Sequence, residues 1–478
     1  MPRLLPCPPA RARGVALAAA CAVCFAATLT GCTTYRAQPL ASHASLIDAN
    51  ALARVQIDPA TMPLPELAAH RFDPANGFDI EDVAMLAVAN NPDLRLARDD
   101  LGIAQAQAYS AGLLPDPQVA ISSDYPGQLG LSRAFSYGLS MDVMALVTRS
   151  ANLHSAEATV HKTDLGLLWQ EWQVVAQARQ LFVKARYQDA VLPLLAQQEE
   201  LARMRHERTE RAAQAHNVTA DVVAGTLVSL QDARKQYADM QLAREQTRHD
   251  LNALLGLAPD VELPLVGPDA LDALDTIAPT PDATVDAAMA ALPARRPDLL
   301  ALKAGYEAQE AKYRAAILNQ FPSLSVGFVR ARDTSEIYTS GFQISLSLPI
   351  FNRNRGNIAI EQATRTRLAD EYQTRLNAAV ADTAHLRANG AIIARQLADA
   401  EASLPPLQRS AERAHDAYTA RSITLGQYTD AQSAALARAI DVATLRESLA
   451  EQRVGLQALL GSAIPDPASA TTPPIANR

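Results

Sequence analysis

Residues 341–350 run Gly341, Phe342, Gln343, Ile344, Ser345, Leu346, Ser347, Leu348, Pro349, Ile350, with a large apolar side chain at every second position. A period of two is that of a β-strand with one apolar face. An earlier stretch repeats the pattern, with Phe135, Tyr137, Leu139, Met141 and Val143 alternating with Ser136, Gly138, Ser140 and Asp142. Each stretch follows a shorter alternating one, Val119, Ile121 and Ser123 in the first case and Leu324, Val326 and Phe328 in the second. Turn residues lie between, so two β-hairpins are predicted. Their length matches the roughly 9–11 residues of a tilted membrane-crossing strand. Alternation alone leaves two settings open: a barrel wall between lipid and a wet lumen, or a hairpin packed on a soluble core. Four strands cannot close a barrel when the smallest have about eight, and an open edge in lipid leaves backbone groups unsatisfied. In the lipid setting, oligomerisation is therefore obligatory.

The surrounding chain is written twice. Asn91, Pro92, Asp93 and Leu94 reappear as Arg296, Pro297, Asp298 and Leu299. Leu254, Leu255 and Gly256 reappear as Leu459, Leu460 and Gly461. The hairpins keep nearly the same spacing, about 205 residues, which is too long for a solenoid repeat and suits a pseudo-symmetric body. Between the hairpins the pattern is helical. Leu368, Tyr372, Leu376 and Val380 recur every four residues, and Leu445, Leu449, Gln452, Leu456 and Leu459 alternate steps of four and three. This is a coiled-coil seam. Long helices are expected from Ser150 to about Ala212 and from Gly356 to about Ala420, bent or broken at Pro193 and at Pro405 and Pro406. Return helices are expected from about Thr219 to Leu255 and Thr424 to Leu460, and a half-length helix from about Asp82 to Leu113.

At the N-terminus, Arg3, Arg11 and Arg13 precede an uncharged stretch from Gly14 to Gly31 that ends Leu29, Thr30, Gly31, Cys32. This is secretory signal architecture, with a membrane anchor as the alternative. The final four residues resemble the lipobox of bacterial lipoproteins, which makes Cys32 the expected lipidated N-terminus; Thr33 after it points to outer-membrane sorting. Cys7, Cys21 and Cys24 would be removed with the signal, which leaves no disulfide in the mature chain. The expected organisation is a signal peptide over 1–31, an extension over 32–81, repeats over 82–282 and 283–461, and a tail over 462–478.

Composition removes other classes. The chain has 478 residues and a formal charge of −8 without a basic run, which argues against a nucleic-acid partner. Apolar residues make up 49% but aromatics only 5%, the balance of Ala- and Leu-rich long helices. There is no nucleophile-elbow, phosphate-loop or dinucleotide motif, so neither an enzyme nor a cofactor is expected. His154 and His161 stand one heptad apart without an HxxxH pair, and no metal site is expected. Asn217, Val218 and Thr219 fit a glycosylation sequon that a bacterial lipoprotein would not use.

The duplication, the Asn91 motif, the Gly112, Leu113, Leu114, Pro115 approach to the first hairpin and the Leu348, Pro349, Ile350, Phe351, Asn352 exit from the second resemble the TolC-like outer membrane factors. The resemblance spans about Asp82 to Gly461. It implies a mainly α fold with a small β-barrel contribution, in which a duplicated long-helix coiled-coil unit carries one transmembrane hairpin per repeat. Three copies would form a trimeric α/β barrel in the outer membrane with a periplasmic helical tunnel. Such a duct serves a periplasmic adaptor and an inner-membrane efflux pump. Phe351 to Ala359 look most like the heavy-metal cation branch, paired with resistance-nodulation-division pumps. A drug or small-molecule duct of the same family is the alternative, and a lipid-anchored periplasmic adaptor is the alternative from another class.

The resemblance also places the tips. His216, Asn217, Val218 and Thr219, with Arg421, Ser422, Ile423 and Thr424, are the expected adaptor contacts. Asp430 matches a lumen-facing acid at the pore constriction, and Gln427 a related position that is often acidic. Three Asp430 carboxylates at a constriction would concentrate cations and repel anions. A solvated Asp near a helix start, favourable to the dipole, is the simpler account.

Overall fold

The computed structural model describes residues 35–127, 130–266 and 282–460. Cys32, the signal stretch 1–31, Gly461 and the tail 462–478 lie outside the described residues. Of a first unit, Met1–Leu46, the described part is exposed chain without helix or strand.

The second unit begins at Ile47. Its helices are α1 (Ala49–Leu52), α2 (Pro65–Ala69), α3 (Ile80–Asn90), α4 (Pro92–Gly112), α5 (Val143–Gln214), α6 (Ala220–Leu254), α7 (Asp282–Arg295), α8 (Pro297–Leu318), α9 (Arg355–Thr419) and α10 (Leu425–Leu460). Its strands are β1 (Gln118–Asp124), β2 (Ala134–Asp142), β3 (Ser323–Arg332) and β4 (Tyr338–Ser347). Helix, hairpin, long helix and return helix thus follow one another twice. At 1.5 Å per residue, α5 is about 108 Å long and α9 about 98 Å.

Helix α5 is the spine. The main contacts of its flanks are with α4 and α6 on one side and with α8 and α10 on the other, while α9 packs on α8 and α10. At mid-height α3 lies across α5, and Val83, Leu86 and Ala87 of α3 bury against Phe182, Val183 and Tyr187 of α5 and Leu251 and Leu254 of α6. Nearby, Trp172 packs among Leu64, Leu67, Met85 and Val88. Two glycines hold this belt. Gly256, at φ +66°, brings the chain so close to the Asn90 carbonyl that an added Cβ would stand 3.0 Å from its oxygen. At Gly77, φ +96°, an added Cβ would stand 2.7 Å from the Pro264 oxygen. Only glycine enters these conformations at little cost.

The half-length helix expected from Asp82 to Leu113 is two helices, α3 and α4. Pro92 cannot continue the ladder from α3 but suits the first turn of α4. Buried Asn91 caps that turn, accepting from Leu94 N–H at 3.0 Å and donating to the Leu254 carbonyl at 2.9 Å. Its counterpart Arg296 caps nothing; it forms a buried pair with Asp298 at 2.7 Å and stacks over Trp169. Of the bend or break expected at these prolines, no break occurs, since α5 runs through Pro193 and α9 through Pro405 and Pro406. These prolines lie on exposed faces, where water reaches a freed carbonyl. Buried neighbours such as Val191 and Leu195 beside Pro193 hold the helix in place.

The strands form one antiparallel sheet in the order β1-β2-β3-β4. β2 ends at Asp142, whose carboxylate accepts from Met144 N–H at 2.8 Å and starts α5, so Val143 is helical. β4 ends at Ser347, just before Leu348 and the donorless Pro349.

Candidate functional site

Register decides what the sheet presents. Val119 pairs with Leu139, Leu139 with Phe328, and Phe328 with Phe342. One step along, Val326 pairs with Met141 and with Ile344. Side chains of paired residues share a face, so one face is apolar across all four strands at these levels, while toward the hairpin turns the same face carries Ser123, Arg330, Arg332 and Ser340. It is also bare: Phe342 is 91% exposed and Ile344 71%. The opposite face carries Ser122, Ser136, Gly138, Ser140, Gly327 and Ser345, with Ser122 and Ser136 hydrogen-bonded at 2.8 Å. Both outer edges, β1 and β4, lack a partner strand among the described residues. No helix of the described residues is long and apolar enough to cross a membrane.

At the far end of the long helices, the two tips are built alike. Asn217 N–H donates to the Ala212 carbonyl at 2.9 Å and His216 N–H to the Ala213 carbonyl at 2.9 Å. Ser422 N–H donates to the Ala417 carbonyl at 2.8 Å and Arg421 N–H to the Tyr418 carbonyl at 3.0 Å. This is a Schellman turn, which needs a left-handed residue after the cap. His216 (φ +59°) and Arg421 (φ +58°) fill that position where glycine would be relaxed. His216→Gly and Arg421→Gly are each expected to raise stability by up to about 1 kcal/mol. Thermal unfolding of the two variants checks this; a loss in both would mean that the imidazole and guanidinium stabilise the turns. Asn217, Thr219, Ser422 and Thr424 are exposed at these ends, with Val218 and Ile423 half-buried beneath them.

Gln427 is part of the second tip. Its side-chain oxygen accepts from Thr424 N–H at 2.9 Å, and Gln427 N–H donates to the Thr424 hydroxyl at 3.3 Å. This reciprocal cap starts α10 and uses the Gln427 amide structurally. Asp430 is 65% exposed and its carboxylate accepts from Arg205 of α5 at 2.6 Å. Close by, Tyr418 and Tyr428 stack at 4.9 Å and the Arg208 guanidinium donates to the Tyr418 hydroxyl. Arg205 and Arg208 thus fasten the first long helix to the second coiled pair. No sequence signal links Arg205 to Asp430, because the two stand in different repeats.

One group of metal-capable side chains converges among the described residues: His70, Asp79 and Asp82. Backbone capping accounts for it. Asp79 accepts from Glu81 and Asp82 N–H at 2.9 and 2.7 Å, and Asp82 accepts from Asp79 N–H at 3.2 Å and meets His70 Nε2 at 3.2 Å. The three groups hold the start of α3.

Comparisons with known proteins fit this geometry. Residues 289–462 match the family described as outer membrane efflux protein. No curated protein matches the chain. Among solved structures, CusC superposes with a TM-score of 0.64 at 18% identity, covering 85% of this chain and 96% of that one. The CmeC outer membrane channel of Campylobacter jejuni gives 0.65 at 15% identity, covering 91% and 95%. A membrane protein from Pseudomonas aeruginosa gives 0.66 at 20% identity, covering 90% and 99%. Residues 289–462 therefore match the outer membrane efflux protein family, and the chain shares the fold of these solved outer-membrane channels, long helices with a small antiparallel sheet.

Proposed function

We propose that this chain, as a homotrimer, is the outer-membrane exit duct of a tripartite efflux system, anchored in the lipid through Cys32 and served by a periplasmic adaptor and an inner-membrane pump. The exposed apolar face of the four-stranded sheet carries this reading. A bare sheet face with two open edges is stable in hydrocarbon only when neighbouring copies close the ring. β1 follows α4 and β4 leads into α9, so the strand edges and the helix edges coincide, and one copy's β1 side meets the next copy's β4 side. Such a head-to-tail contact closes when the rotation per copy divides the circle. Three copies supply twelve strands.

In this reading the tips at His216 to Thr219 and Arg421 to Thr424 meet the adaptor, and Asp430 faces the lumen just inside. Arg205 then sets how much of the Asp430 charge the lumen feels. Cation preference in planar bilayers is expected to rise in Arg205→Ala and fall in Asp430→Asn, each by about twofold to fivefold. Equal selectivity in both variants and the parent would remove the pair from the account, and a preparation without conductance would overturn the duct itself.

The resemblance of Phe351 to Ala359 supports heavy-metal cations as the cargo. Organic cations are the second reading, favoured by an elongated acidic groove in the helical wall. Tolerance of a deletion strain to zinc, cobalt, cadmium, copper and silver separates them: lost tolerance supports metal, and unaltered tolerance moves the cargo to organic molecules.

A further inference from the structure

Trp172, Val175, Phe182 and Val183 form the face of α5 buried beneath α3 and the N-terminal segment. At 100° per residue, Gln173, Gln177, Gln180 and Lys184 fall on another face, and all four are exposed. The three glutamines border a groove of about 700 Å³ between α5, α9 and α10. Its far walls include Asp382 and His385 of α9 and Glu451 and Gln452 of α10. Gln452 Oε1 is buried and has no hydrogen-bond partner. Glu447 stands one turn before Glu451. Burial, then repulsion from Glu451, pushes the Glu447 carboxyl up to about 7, with Lys184 acting against the shift. Burial pushes Glu451 up as well, again against Lys184. The titratable groups that line the groove are thus Asp382 and His385 from α9 and Glu451 from α10, with Lys184 from α5 and Glu447 from α10 interacting with Glu451 from beside it. Three carboxylates stand against one ammonium.

The size and spread of the acceptors select the ligand. Those on α5, Gln173 to Gln180, extend over about 10 Å, and the set does not meet at one point. The only His and carboxylate group of the described residues that gathers within ligand reach is the one at His70, Asp79 and Asp82. A dehydrated metal ion needs that convergence, whereas an extended molecule with several N–H donors does not. The volume falls within the roughly 300–1,000 Å³ of organic-ligand sites. We propose that this groove binds an elongated, ammonium-bearing organic cation, whose N–H groups donate to Asp382 and Glu451 and to the carboxamide oxygens of Gln177 and Gln452, with Glu447 one turn away adding to the negative field. The inference rests on the duct reading, since a lumen is what brings such a cation to the groove.

Spermidine is the probe, titrated calorimetrically into the full-length protein in detergent. Saturable binding is expected at pH 8 and is expected to weaken by about fivefold at pH 6 as Glu447 takes up a proton. Glu447→Gln with Glu451→Gln should weaken binding at pH 8 by at least about fivefold and flatten the pH dependence. Lys184→Gln should tighten binding, a gain that a damaged fold does not produce. Absence of saturable binding at pH 8, an unchanged affinity in the double variant, weakening in Lys184→Gln, or equal competition by magnesium chloride would each overturn the proposal. Bilayer conductance of the same preparation separates the two ideas: a conducting pore that ignores spermidine loses the groove alone, and a silent one loses the duct.

Discussion

Phe342→Arg is expected to abolish assembled protein in the outer membrane. Phe342 projects from the edge strand β4 on the apolar face and meets Phe328 edge-on, ring centroids 6.1 Å apart. In lipid, a cation replacing it costs about 2–4 kcal/mol near the bilayer midplane and less toward the interfaces. Three copies multiply that to roughly 6–12 kcal/mol per trimer, beyond what a marginally stable assembly tolerates. Ser345→Arg is the control. Ser345 pairs with Ser325 on the opposite face of the same sheet, where a wet lumen accommodates the guanidinium. The measurement is the amount of heat-resistant trimer in outer-membrane extracts. Trimer lost in Phe342→Arg and kept in Ser345→Arg supports the membrane assignment of the faces; the reverse order, or equal loss, would refute it.

Trp172→Ala should have the largest effect on the helical belt. The indole is 2% exposed, and its Nε1–H donates at 2.7 Å to the carbonyl of Ala458, in the last turn of α10. Carbonyls in a helix's last turn lack an intrahelical partner, so the indole satisfies one that the helix cannot. Its ring fills the space between α5, α3 and the segment carrying Leu64 and Leu67. Truncation should cost about 3–5 kcal/mol. Trp172→Phe keeps most of the packing and loses the hydrogen bond, at a cost nearer 1–2 kcal/mol. Unfolding of the detergent-solubilised protein measures both. Equal losses would mean that the hydrogen bond, not the packing, dominates.

The strands were legible because a period of two suits an extended chain and no helix: Phe342, Ile344 and Leu346 share a face in the first and scatter around the second. Their limits were less legible. Val143 and Ile350 continue the alternation, but Asp142 supplies a helix cap and Pro349 cannot donate to a ladder, so each strand stops first. The prolines do not interrupt their helices. Pro193 weakens α5 locally, yet flanking contacts along a helix of about 108 Å outweigh one missing hydrogen bond. Among the site residues, the tip turns fall where the helical pattern lapses, but the roles given to them and to Asp430 came only by resemblance. Arg205, Tyr418 and Tyr428 carried no signal, since their contacts join segments separated by up to about 225 residues. Glu447 and Glu451 carried no signal either, since an acidic pair one turn apart is ordinary on a long helix and only the groove beside it singles it out.

Local chemistry written along the chain determined the duplicated plan: two amphipathic hairpins, long helices between them, and turns where the periodicity lapses. Periodicity is a property of neighbours in sequence, and it survives whatever packs against it. Only the tertiary structure decided that β2 pairs with β3, which merges two hairpins into one sheet, that its apolar residues fall into register on one bare face, and that Arg205 reaches Asp430. Those outcomes depend on the energies of contacts between distant segments, and no single stretch of sequence contains both partners.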